Sequence, residues 1–82
     1  MANKAYYRKL IQDKRAAIAR ERDAKKRDNQ SYANMIKSAG SASSKASLRK
    51  SKIDRADGHD RRIESLKAEI ARLQVEVLKA PK

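Results

Sequence analysis

Ile63-Glu64-Ser65-Leu66-Lys67-Ala68-Glu69-Ile70-Ala71-Arg72-Leu73-Gln74-Val75-Glu76-Val77 is the most regular stretch of the chain. Its large apolar residues fall at Ile63, Leu66, Ile70, Leu73 and Val77, in steps of three and four. That spacing places them on one side of a helix, with Glu64, Lys67, Glu69, Arg72 and Glu76 mostly on the other. Such a stripe is a coiled-coil-like seam and requires a mate. The chain has 82 residues, room for one small domain with a thin core. Phe and Trp are absent, so the interior must be built from Ile, Leu, Val, Met and Ala, the residues of helix seams. With two Gly and one Pro, the composition predicts an all-α protein.

Upstream, Asn3 fits the cap of a helix over about residues 4–38, because no Gly or Pro interrupts that span. Its apolar positions include Tyr7, Leu10, Ile11, Ile18, Tyr32, Met35 and Ile36. Ile11, Ile18, Lys25, Tyr32 and Ala39 recur every seven residues, so the stripe keeps its phase while its middle turns polar at Glu21, Lys25 and Asp28. Glu21 with Lys25, and Asp23 with Arg27, have the i, i+4 spacing that supports an exposed helix. Ser38-Ala39-Gly40-Ser41-Ala42-Ser43-Ser44 breaks the pattern near the midpoint. Ser38 and Gly40 mark the turn, with Gly40 as a left-handed C-cap and one of Ser41, Ser43 or Ser44 as the next N-cap. A second helix is expected over about residues 45–79, ended by Ala80-Pro81 and open to a kink near Gly58, since Gly is a poor helix former and Asp-Gly a turn signal.

The predicted architecture is therefore a single antiparallel two-helix hairpin, with a turn over about residues 39–44. In this register Ile11 lies near Leu73, Ile18 near Leu66, and Met35 near Leu48. Lys25 falls near Asp57 and Gly58, so two apolar ends flank a charged waist. A lone hairpin of this size without a staple gains little from its core, which favours association with itself or with another helical protein.

The net charge of +12 suits an anionic partner: an acidic protein, nucleic acid or an anionic membrane. The densest cations are Lys25, Lys26 and Arg27, followed by Arg49, Lys50, Lys52 and Arg55. These could neutralise phosphates, and Tyr6, Tyr7 and Tyr32 could stack on bases, although Tyr7 and Tyr32 fall on the apolar stripe and suit packing better. A membrane is disfavoured, because no Trp or Phe anchors accompany the basic residues. Absence of Cys removes disulfides, thiolate metal ligands and thiol nucleophiles. No cofactor or metal is expected and no enzymatic role: His59, between Asp57 and Asp60, reads as a solvated histidine beside two exposed acids, and the serines lack a companion base. The N-terminus has no apolar signal segment, which implies a cytoplasmic protein, exported if at all by a route needing no cleavable signal.

Tyr6-Tyr7-Arg8-Lys9-Leu10, the turn Ser38-Ala39-Gly40 and the stripe Ile63 to Val77 together resemble the small helical hairpins of the WXG100/ESAT-6 class and the accessory hairpins encoded beside LXG toxins. Ser38 stands where that class carries Trp, and the tail Val77-Leu78-Lys79-Ala80-Pro81-Lys82 lacks the Y-x-x-x-D/E signal. The resemblance implies a hairpin that pairs with a partner hairpin, and a substrate or accessory role in type VII secretion.

Overall fold

The structure, a computed structural model, describes residues 2–81; Met1 and Lys82 lie outside them. Two helices, α1 over Lys4–Ser38 and α2 over Ala42–Lys79, run antiparallel and form a rod of 62 × 15 × 13 Å. No strand occurs among the described residues.

Each helix begins where a short polar side chain meets its first free amide. Asn3 Oδ1 accepts the Tyr6 N–H at 3.0 Å, and Ser41 Oγ accepts the Ser44 N–H at 3.1 Å. Ser41, one of the three serines open as the N-cap, starts α2 at Ala42, a few residues before the expected bound of about 45. It also removes the need for a left-handed glycine. Ala39 and Ser41 are both extended, and no glycine among the described residues has positive φ. Gly40 is thus an ordinary link between two extended residues, contrary to its expected role as a left-handed cap. Ser38 Oγ donates back to the Asn34 carbonyl at 3.1 Å, within the last turn of α1.

At the other tip the Lys4 N–H, one of the amides that the start of α1 leaves unpaired, donates to the Pro81 carbonyl at 3.1 Å. Tyr6 and Tyr7 meet edge to face beside it, with ring centroids 5.3 Å apart.

Between these tips the register is fixed by pairs across the seam. Lys14 Nζ lies 2.9 Å from Glu69 Oε2, and Lys25 Nζ lies 2.8 Å from Asp60 Oδ1. The apolar core is Ile11, Ile18, Ile63 and Ile70, with Leu66, Leu73 and Val77 packed against it. It occupies only the half of the rod far from the turn. Near the turn Tyr32, Ile36 and Leu48 are half-buried, whereas Met35 is 43% and Ile53 61% exposed. The expected symmetry of two apolar ends is therefore broken. Ile36 and not Met35 turns partly inward, and the short side chains of Ala42, Ala46 and Ser47 give this half little to bury.

α2 runs through Gly58 without a break. A Cβ placed there would approach only the tip of the Arg62 side chain, at 4.0 Å, an ordinary contact. Gly58→Ala is therefore expected to stabilise the hairpin by about 1 kcal/mol, the helix-propensity difference, read as a rise in urea midpoint at constant m-value.

Candidate functional site

At the middle of the rod the apolar stripe gives way to a polar layer centred on His59, which is 7% exposed. The imidazole is held at both ends by α1: Nδ1 lies 2.7 Å from Glu21 Oε2, and Nε2 lies 2.7 Å from Asp28 Oδ2. A neutral imidazole has one donor nitrogen and one bare lone pair, so it would set a lone pair against a carboxylate. The imidazolium donates to both. Hydrogen bonding to Asp28, then to Glu21, raises the pKa of His59 above 6.5 against the opposing effect of burial. The same bonds lower the Glu21 and Asp28 carboxyls below 4.5 and 3.8 respectively.

Two arginines of α2 complete the layer. Arg62 Nε reaches Glu21 Oε1 at 3.2 Å, and Arg55 Nε donates to Asp28 Oδ2 at 3.2 Å. Hydrogen bonding to Asp28 raises the Arg55 pKa further, and Tyr32 lies close enough to add to it. Every charge in the layer thus meets its opposite on the facing helix. Neither ring nitrogen of His59 is left to take a proton from a substrate or to hold a metal. The arrangement is a latch between helices.

This overturns the reading of His59 as a solvated side chain beside Asp57 and Asp60. Asp57 and Asp60 are exposed, and Asp60 turns to Lys25. The usable signal was that His59 precedes Ile63 by four residues and therefore shares its stripe. The intrahelical pair expected for Glu21 with Lys25 does not form, because both are engaged by α2, and Asp23 with Arg27 forms no ion pair either.

Of the residues expected to carry packing, Ile11, Ile18, Ile63 and Ile70 are buried. Tyr7, Leu10, Tyr32, Leu66, Leu73 and Val77 are half-buried, and Met35 is exposed. Ser38 and Gly40 are exposed at the turn. The expected anion-binding set divides. Lys25 and Arg55 are taken up by Asp60 and Asp28, whereas Lys26, Arg27, Arg49, Lys50 and Lys52 have no ion-pair partner among the described residues.

The long sides of the rod differ. One carries the groove of Ala17, Arg20, Glu21, Arg62 and Leu66, where acid and base are mixed. On the other, Arg8 and Arg15 flank a groove floored by Ile11, Val77 and Leu78, and Arg22 and Lys26 flank a second with Asn29 and Lys52. Arg8, Arg15 and Arg22 fell outside the dense charge runs and were missed for that reason; their seven-residue spacing was the available signal. No helix among the described residues is long and apolar enough to cross a membrane. Comparison of the chain with protein-family models, with curated proteins and with solved structures finds no match in any of the three.

Proposed function

We propose that the hairpin is a non-enzymatic interaction module that pairs with another helical protein through the uncovered edge of its seam. The supporting observation is that Leu66 and Leu73 pack against the isoleucine core yet stay half-exposed, as Leu10 of α1 also does, because two helices cover each other along one line only. A third or fourth helix against this edge would finish their burial, at about 25 cal/mol for each Å² of apolar surface removed from water. The partner is a second copy or a different helical chain. An acidic one gains encounter rate from the positive field of the rod.

In sedimentation equilibrium from about 5 to 200 µM, or after co-expression with the product of the neighbouring gene, the chain is expected to exceed its monomer mass. Leu66→Gln with Leu73→Gln should return it to the monomer while circular dichroism still shows two helices. A wild-type chain that stays monomeric under both conditions would refute pairing. The finer reading, a substrate or accessory partner of type VII secretion, rests on the resemblance to WXG100 hairpins. It predicts that a tagged chain reaches the culture medium only in cells with an active secretion ATPase.

A further inference from the structure

We propose that the side of the rod lined by Arg8, Arg15, Arg22 and Lys26 is a sequence-independent binding face for the phosphate backbone of nucleic acid. These four side chains recur along α1 at intervals of seven, seven and four residues, and so lie in a row on one side of the helix, about 27 Å long at 1.5 Å per residue. α2 extends the row at its turn-side end. Lys52 shares a groove with Arg22 and Lys26, and Arg49 shares the adjoining one with Lys52 and Asn29.

The three grooves along this side contain no carboxylate in their walls. Six of the ten acids are engaged or grouped elsewhere, and Asp13, Asp23, Asp54 and Glu76 do not line these grooves. Glu21, Asp28 and Glu69 are bonded across the seam to Arg62, Arg55 and Lys14, and Asp57, Asp60 and Glu64 line a separate groove on α2. None of the six cations of the row has an ion-pair partner among the described residues. The row thus gathers six unpaired cations along one line, which suits a partner whose charge is also linear.

Nucleic acid fits that description. A duplex carries one negative charge per about 1.7 Å of axis, both strands counted, so a length of about 27 Å holds about sixteen phosphates, of which the row faces those on its own side. The amides of Gln12, Asn29 and Gln30 lie among the cations and can donate to phosphate and sugar oxygens, as Asn and Gln do in nucleic-acid contacts. The face offers no wedge of side chains for the floor of a groove, so it reads charge and not sequence. An anionic membrane fits less well. Ile53 and Leu78 are exposed near opposite ends of the face without a continuous apolar stripe or aromatic anchors between them.

The test is fluorescence anisotropy of the full chain with a labelled 30-base-pair duplex and a 30-nucleotide RNA, from 50 to 200 mM KCl. Vesicles containing phosphatidylserine and polyglutamate serve as alternative anions. Six phosphate contacts predict that duplex affinity falls by about a thousandfold over that range. Arg15→Gln with Arg22→Gln and Lys26→Gln should reduce the log–log salt slope by about 3 and weaken binding at least tenfold at 50 mM. Arg20→Gln with Arg61→Gln and Arg72→Gln removes the same charge away from the row and should weaken binding far less. Circular dichroism of both variants must match the wild type; if either unfolds, the single Arg15→Gln and Arg20→Gln exchanges carry the same comparison. Absence of duplex and RNA binding at 50 mM overturns the proposal, as does equal loss in the two triple variants. Binding to vesicles or polyglutamate as tight as to duplex would also overturn it, by assigning the face to a membrane or to an acidic protein. Helical pairing through Leu66 and Leu73 is read separately by sedimentation, so either reading can fail alone.

Discussion

Leu66→Asp together with Ile70→Asp is expected to abolish the folded hairpin, seen as loss of the helical circular dichroism signal at 25 °C. Ile70 is a buried member of the isoleucine cluster, and Leu66 packs against that cluster. Removing two such side chains forfeits about 1.5 to 3 kcal/mol for each if fully buried. The incoming carboxylates must also either be desolvated or force the helices apart. A single small core rarely contributes more than about 3 to 5 kcal/mol net, so the loss matches or exceeds the whole stability. Neither helix survives well alone, because most helical stability in proteins comes from packing of the apolar face. Ile70→Val provides the graded companion: it should lower stability by about 1 kcal/mol and leave the fold intact. Unchanged dichroism in the double variant would refute the seam.

The second large effect is a dependence of stability on pH that runs through His59. Its pKa is raised above 6.5 in the folded chain, so its contribution is fully present below about pH 6.5 and is lost as pH rises through the folded value. The carboxyls of Glu21 and Asp28 are shifted the other way. Their contributions are present above 4.5 and 3.8, and are lost as pH falls through the lowered folded values. The two limbs place the maximum between about pH 4.5 and pH 6.5. Arg55 and Arg62 hold one carboxylate each from α2. They moderate the loss and do not reverse it. Thermal melts at constant ionic strength should therefore show the midpoint falling from about pH 6 to about pH 9, and His59→Leu should flatten that limb. A wild-type midpoint constant between those values would mean that the ring is neutral in the folded chain.

His59 also shows where the chain's own pattern stops being readable. The stripe from Ile63 to Val77 is strictly periodic, and a turn near the midpoint fixes the pairing of two helices of similar length. Hairpin and register therefore follow from the positions of a few residues. The partners of His59 are acids of the other helix, whereas its nearest acids in sequence point outward, so local reading assigned it to solvent. Asp57 and Asp60 were the visible neighbours; Glu21 and Asp28 were the effective ones. Gly40 was misread for a related reason. A glycine after a helix suggests a left-handed cap, but the chain already leaves α1 extended at Ala39 and Ser41 caps α2 through Ser44, so no left-handed residue is needed. Met35 and Ile36 are adjacent and both apolar, and their separation into exposed and half-buried depends on a rotation that spacing alone does not resolve.

The asymmetric core has a consequence for how the hairpin closes. Loop-closure entropy favours contacts near the turn, and none of the four buried isoleucines lies there. The residues that hold it shut, Ile11 and Ile18 on α1 and Ile63 and Ile70 on α2, are separated by more than half the chain. Zipping from the turn therefore gains little until it passes the layer of Asp28, His59 and Glu21, and the gain arrives late. A chain opened beyond that layer exposes two isoleucine stripes far from the only element that tethers them. Those stripes match a second opened copy as well as they match each other, so protein concentration as well as sequence governs which one closes the seam.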